Sequence, residues 1–418
     1  MKSRSRYAWM VVACLWFVWL LNYLDRQAFY SVFPLLQSNL RLSDFQLGLL
    51  STSFLWVYAI ASPLAGYLAD RFGRKNIIVM SLLIWSLMTW ATGKARNFQE
   101  LLWARGLMGV SEAAYLPAGL AMIADYHSES TRSRATGLHF SGGYLGIVLG
   151  GIAGGWIGEH YGWRRAFVVL GIIGIAYALF AAGVLHDSPT SPEQKANRTR
   201  VEKSGVIASL RELCSIRAFS TLTVVFGIMS LANWLIYTWM PIYLYERFHM
   251  SLLSAGFSAT FYIQAGSIGG IVLGGILADR WGSRWARGRL LTQAAGLALV
   301  GPFLCIVGVA ASPVLLFVAL AVFGIGRGAY DSNCMPVLCQ IARPGLRATG
   351  YGFFNFVGTV AGGAIAAAAG AMKSSLGLGG IMEVVGIFLL VGAFLLFRLQ
   401  LPAVESVCST PVSATSEN

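Results

Sequence analysis

Residues 66–75 read GYLADRFGRK and residues 275–284 read GILADRWGSR, two decamers 209 positions apart in a chain of 418. Each places Asp-Arg, a glycine and further cations at the end of a long apolar run. A second echo follows: TRSRATG ends at Gly137 and GLRATG ends at Gly350, each opening a glycine-rich stretch. Between the copies, His186 to Gly205 (HDSPTSPEQKANRTRVEKSG) is the one long polar interior segment, rich in the residues that break regular structure. The chain therefore reads as an internal duplication joined by a connector.

Composition says what is duplicated. Hydrophobic residues make up 56% of the chain and charged ones 12%, and the mean hydropathy is +0.64, values of an integral membrane protein. Apolar runs such as Trp9–Leu21, Ile77–Ala91, Ala166–Leu185, Leu290–Ala311 and Ile381–Phe397 approach the length a helix needs to cross hydrocarbon. With the glycine-rich runs they give about twelve spans. The ten-residue alternating segments of a transmembrane barrel are absent. MKSRSR and the apolar run after it continue into NYLDRQ without a small-residue cleavage site, so this stretch is read as a retained first helix. The six cysteines have no metal or disulfide spacing.

The net charge of +13 does not point to nucleic acid, because the cations are sorted. Arg71, Arg74, Lys75, Arg132, Arg134, Arg280, Arg284, Arg343 and Arg347 fall on one side, with the connector and both termini. The opposite side keeps few. By the positive-inside bias, both termini face the cytoplasm of a plasma (inner) membrane. In each decamer the aspartate, Asp70 or Asp279, is placed to bond free amides at the start of the next helix. Arg71 or Arg280 then faces the carbonyl end of the preceding one.

Four ionisable residues lie inside predicted spans of the first half: Asp25 and Arg26 in NYLDRQ, Arg105 and Glu112 in WARGLMGVSEAAYLP. Such a residue costs about 2.5–3.5 kcal/mol on insertion scales, so it lines a cavity or finds a partner. Neighbours on a helix diverge by about 100°, which gives Asp25 and Arg26 different tasks. Arg105, Glu112 and Tyr115 share a face, and this face is expected to meet the first helix. Asp25 is expected to neutralise Arg105, leaving Arg26 to receive an anionic group through its planar fork. Glu112, neutral when protonated and costly when charged, suits a proton carrier. In the second half, GIGRGAYDSNCMP holds Arg327 and Asp331 at i, i+4. These read as a self-neutralising pair or as a second polar contact, helped by Asn233, Tyr237 and Asn355. His139 is read as a snorkelling histidine near a helix end.

GYLADRFGRK resembles the signature of the major facilitator superfamily, and the copy at 275 resembles its degenerate partner. The resemblance implies an all-α membrane protein of twelve transmembrane helices in two pseudo-symmetric six-helix bundles, with a central cavity and alternating access. Gly66, Asp70, Arg71, Gly73 and Arg74, with Asp279 and Arg280, would form its gating motif. The expected divisions are a bundle over 1–186, a cytoplasmic connector over 187–214, a bundle over 215–400 and a disordered tail over 401–418.

NYLDRQ, NWLIYTWMPIYL and ARGLMGVSEAAYLPAG resemble the anion:cation symporters, the organic-anion and sugar-acid branch. That resemblance implies proton coupling through Asp25, Glu112 and Arg105, and substrate contacts at Arg26 and Tyr58, with Tyr115, Asn233, Tyr237 and Asn355 as further candidates. Where members of the branch often carry a polar side chain in helix five, this chain has Gly143. The Asp-Arg and GVSEAAY segments also resemble Spinster-type lipid transporters, whose cargo would be lysolipid-like, and a drug:proton antiporter ranks third. No phosphate-binding loop, zinc ligand set or nucleophile elbow appears, so neither an enzyme nor an ATP-driven pump is expected. The expectation is a proton-coupled monomer with no cofactor or metal, taking a small anionic substrate and no nucleic acid.

Overall fold

In the computed structural model the described residues are 2–127, 129–187, 206–285, 287–343 and 346–401, without the side chains of 2–5, 63–72, 129–130, 133, 206–208 and 348. Every regular element among them is a helix. The first half comprises α1 (Lys2–Ser31), the short α2 (Phe33–Leu40), α3 (Asp44–Phe72), α4 (Arg74–Thr92), α5 (Phe98–Tyr126), α6 (Glu129–Tyr161) and α7 (Trp163–Val184). Then come α8 (Val206–Ser215), α9 (Arg217–Phe248), α10 (Leu252–Gly282), α11 (Gly288–Val309), α12 (Pro313–Ile341) and α13 (Arg347–Arg398).

Eleven of these helices are long and apolar enough to cross a membrane, but the last such stretch, Thr349–Arg398, runs 50 residues. At 1.5 Å per residue that is about 75 Å, more than twice a bilayer core of about 30 Å. It reverses at Gly377, whose φ of 68° is the left-handed region that glycine enters without a Cβ penalty. Divided there, the span count becomes the expected twelve, six in each half. The connector differs from a purely polar link: α8 falls within it. Residues 188–205 and the tail from 402 lie outside the described residues.

Alternation of direction places both decamers, the connector and the two outermost spans' free ends at one end of the molecule, here end A. The loop before Asp44 and the turn at Gly377 lie at the other, end B. Gly73 adopts a φ of 83° between α3 and α4. Arg74 pairs with Asp125 and donates to the Ala121 carbonyl, fastening α4 to α5. Of Gly66, Asp70 and Arg71 only the backbone is described, at the end of α3. The amide of Lys75 donates to Asp187 Oδ1 at 2.8 Å, so the free start of α4 is served by the chain leaving α7. In the second copy the expected bond to the next helix is not found among the described residues. The Asp279 side chain is 80% exposed and meets Arg289 at 3.8 Å, and Arg280 is exposed.

Among the described residues, the hydrogen bonds between the halves lie from mid-helix toward end B. Thr52 Oγ1 donates to the Gly363 carbonyl at 2.6 Å, and Trp56 Nε1 to that of Val360 at 3.0 Å. The Leu253 amide donates to Glu159 at 3.2 Å. A Cβ on Gly151 would collide with the Gly256 carbonyl, and one on Gly256 with the Gly151 carbonyl, so α6 and α10 touch backbone to backbone. Lys373 closes the rim, 2.8 Å from Asp44 and 2.7 Å from Glu246. End B is shut, and no such tie joins the halves at end A among the described residues. Lys373→Met should loosen this rim by about 1 kcal/mol, speeding amide exchange at the start of α3 about fivefold. Unchanged exchange there would contradict the assignment.

Candidate functional site

Glycines of α6 set the rotation of α1. A Cβ on Gly142, Gly146 or Gly150 would strike the carbonyls of Trp16, Leu20 or Leu24, and one on Gly154 would strike Ala28. This four-residue seam lays one face of α1 against α6. Arg26, two residues past Leu24 and about 200° round the helix, turns the other way. On α5, the Asn97 side chain accepts from the Glu100 amide at 2.9 Å. Glu112 then sits about 22 Å along the helix from that cap.

Arg26 and Glu112 meet there. Arg26 Nη2 lies 2.5 Å from Glu112 Oε2 and 3.2 Å from Asn22 Oδ1. The residues are 7% and 1% exposed, so each charge depends on the other. Aromatic rings complete the seat: the guanidinium carbon is 4.8 Å from the ring centre of Tyr23, 4.6 Å from Phe54, 5.8 Å from Tyr58 and 5.9 Å from Trp234. A cation over such faces gains about 0.5–2 kcal/mol per contact. Trp234 belongs to the second half, so Arg26 stands where the halves meet. A small cavity beside it, about 10 Å³, is lined by Tyr23, Arg26, Gln27, Tyr30, Ile147, Trp234 and Tyr237. That is room for about one water, far below the roughly 300 Å³ of ordinary ligand sites, so the space is drawn in around Arg26. A wider cleft of about 660 Å³ opens at end B around Arg247, Lys373 and Gly377, but its lining lies wholly in the second half and shares no residue with this cavity.

The other first-half charges depart from expectation. Asp25 makes no ion pair with Arg105, though the two lie within electrostatic reach: its Oδ2 accepts from Thr89 Oγ1 of α4 at 3.1 Å, and Oδ1 has no hydrogen-bond partner. Arg105 is held instead by rings, 4.3 Å from Phe29 and 4.5 Å from Phe54, with Met108 Sδ at 3.2 Å. Phe54 thus serves both arginines. Tyr115 is fully buried and donates to the Leu15 carbonyl at 2.8 Å, which keeps it off the cavity. Asn233 is half-buried with an unpartnered Oδ1. Asn355 is exposed and donates to the Tyr351 carbonyl at 3.0 Å. Tyr237 does line the cavity, where its hydroxyl accepts from Gln264 at 3.1 Å and its carbonyl from Gln27 at 3.5 Å. His139 does not snorkel but lies fully buried among Trp19, Tyr115 and Phe140.

Sequence reasoning missed Trp234, Gln27, Gln264 and Thr89; a polar residue inside a span was the available signal for the glutamines. Gly143 has a steric reason. A Cβ there would stand 2.6 Å from Trp19 Nε1 and 3.0 Å from Tyr23, so the polar side chain common at this place gives way to an indole.

The chain is 30% identical over 434 residues to the probable galactarate/D-glucarate transporter GudP of Bacillus subtilis (strain 168), covering 93% of each chain. It is 28% identical over 363 residues to the sphingosine-1-phosphate transporter SPNS2 of Xenopus tropicalis, covering 82% of this chain and 69% of that one. Its backbone matches that of a bacterial homolog to the human lysosomal transporter Spinster, in an inward-facing and unoccupied conformation, with a TM-score of 0.80. Identity there is 22%, over 94% of this chain and 96% of that one, a likeness of fold. The relatives are transporters, not enzymes. The two sets of six spans meet beside a buried ion pair of the first, and residues 15–367 match the family model directly: the chain belongs to the Major Facilitator Superfamily.

Proposed function

We propose that the protein is a secondary active transporter that carries a small organic anion, a sugar acid or related carboxylate, together with a proton. The observation that supports this most is the Arg26–Glu112 pair at 2.5 Å beside the cavity between the halves. Unlike Arg105, which rings enclose, this guanidinium holds an anion beside the cavity, and breaking such a buried pair without a replacement is costly. In the empty carrier that anion is Glu112. Protonation of Glu112 from the outside removes its charge and frees the Arg26 fork, which a carboxylate then takes with two parallel hydrogen bonds. The halves rock, and anion and proton leave together on the other side. The sorted cations put end A in the cytoplasm of the inner membrane, so closure at end B corresponds to the inward-open phase. The carrier acts as a monomer, and the proton is its coupling ion.

Uptake into proteoliposomes tests this with a panel of sugar acids, other small carboxylates, lysolipids and cationic drugs, with and without a pH jump. Accumulation of carboxylates only under the pH jump is expected. Accumulation confined to lysolipids or drugs would replace the reading by the Spinster-like or antiporter one. Glu112→Gln should still exchange substrate across the membrane yet lose pH-driven accumulation, its in-to-out ratio falling to about one. If that variant still concentrated substrate under a pH gradient, Glu112 would not be the coupling group.

A further inference from the structure

We infer that Arg327 is a second anion receptor in the central site, and that the substrate carries an acidic group at each end. This rests on the reading that the site takes an organic anion, and it names the class of that anion.

Arg327 is 8% exposed, on α12 of the second half. Its arrangement parallels that of Arg26 in the first half. Arg26 has a carboxylate, Glu112, as its local counter-charge, and Arg327 has Asp331 Oδ2 at 3.3 Å from its Nε. The two pairs differ in quality. The Asp331 contact at Nε is long, and Nη1 of Arg327 is buried without a hydrogen-bond partner. Buried N–H groups left unpaired are costly, and a guanidinium carries five of them in a fixed fork. A carboxylate arriving from the cavity would satisfy what Asp331 leaves open.

Glu112 and Arg26 pair across two helices, whereas Arg327 and Asp331 pair along one; what Arg327 meets on another helix is the Tyr237 ring, at the cavity. Buried ion pairs bring little stability over apolar residues of similar volume, so bracing is a weak reason for this one.

Tyr237 connects Arg327 to the site already described. The Arg327 guanidinium carbon lies 5.2 Å from the centre of its ring, and the same residue lines the cavity beside Arg26. From the first half, Tyr23 and Tyr144 lie within electrostatic reach of Arg327. Arg26 lines the cavity itself, and Arg327 stands behind Tyr237, one ring away from it. A monoacid on Arg26 leaves the Arg327 fork unfilled, and a site built for a polar group discriminates against the analogue that lacks it. An α,ω-diacid fills both.

Equilibrium binding to the purified full chain tests this with a matched pair of probes, D-glucarate, with an acid at both ends, and D-gluconate, with one. Wild type should bind glucarate about tenfold or more tightly than gluconate, the yield of one charge-assisted bidentate contact. Arg327→Gln combined with Asp331→Asn removes both charges of the pair. It should weaken glucarate to the level of gluconate and leave gluconate unchanged, which also reports a folded site. Should the double variant not fold, Arg327→Lys, which keeps the charge beside Asp331 but not the fork, should lower the glucarate-to-gluconate preference severalfold. Glucarate binding with an unaltered preference in these variants would overturn the inference alone. Failure of wild type to bind any acid would remove the anion reading itself, and this inference with it.

Discussion

Arg26→Ala is expected to abolish anion binding in a protein that still folds. Arg26 is the cation beside the cavity that both halves border, and the partner it leaves behind, Glu112, can take up a proton and become neutral. Truncating one partner of a buried, hydrogen-bonded charge pair between receptor and ligand costs about 2–5 kcal/mol of binding, a loss in affinity of about thirtyfold or more. Arg26→Lys should fall between, since it keeps the charge and loses the parallel hydrogen bonds. Trp234, whose ring centre is 5.9 Å from the guanidinium, offers a fluorescence readout beside the site, and scintillation-proximity binding an independent one. Anion affinity within threefold of wild type in Arg26→Ala would place the receptor elsewhere.

Gly151→Leu should stop transport for a different reason. Gly151 faces the Gly256 carbonyl across the seam between α6 and α10, and Gly155 faces that of Leu252 one turn away. A leucine forced into this backbone contact overpacks it by about 1–3 kcal/mol. The population closed at end B should then fall by about tenfold to a hundredfold. Substrate binding from the end-B side should persist while net uptake drops more than about tenfold, and cysteines placed along Thr52–Trp56 should label faster from that side. Normal uptake by this variant would mean that the seam does not close during the cycle.

The fold was legible because duplication and oil-length runs are written in one dimension. The doubled decamer gave two halves, and the count of twelve needed only Gly377 to divide the final helix. The meeting of Arg26 with Glu112 was also within reach, since charges in hydrocarbon must face each other or a cavity. Less legible was how each helix is turned about its axis. An apolar face toward lipid and an apolar face toward a neighbouring helix look alike in sequence, so nothing told that Asp25 would reach Thr89 or that Phe29 and Phe54 would enclose Arg105. The rotation of α1 is set by glycines of α6, more than a hundred residues away. Tyr115 shares a helical face with Glu112 as its spacing requires, yet its hydroxyl is taken by the Leu15 carbonyl, a bond that depends on how closely two helices approach.

The pairing of Arg26 with one acid at a time also has an electrical meaning. On the proposed cycle its counter-charge is Glu112 when empty and the bound carboxylate when loaded, with Glu112 carrying the proton. The sum at that point would be the same in both, so membrane voltage, which acts at about 2.3 kcal/mol per charge per 100 mV, would do no work on it as the carrier turns. On the same proposal, current accompanying a full turnover would come from the far end of a two-acid cargo, at Arg327.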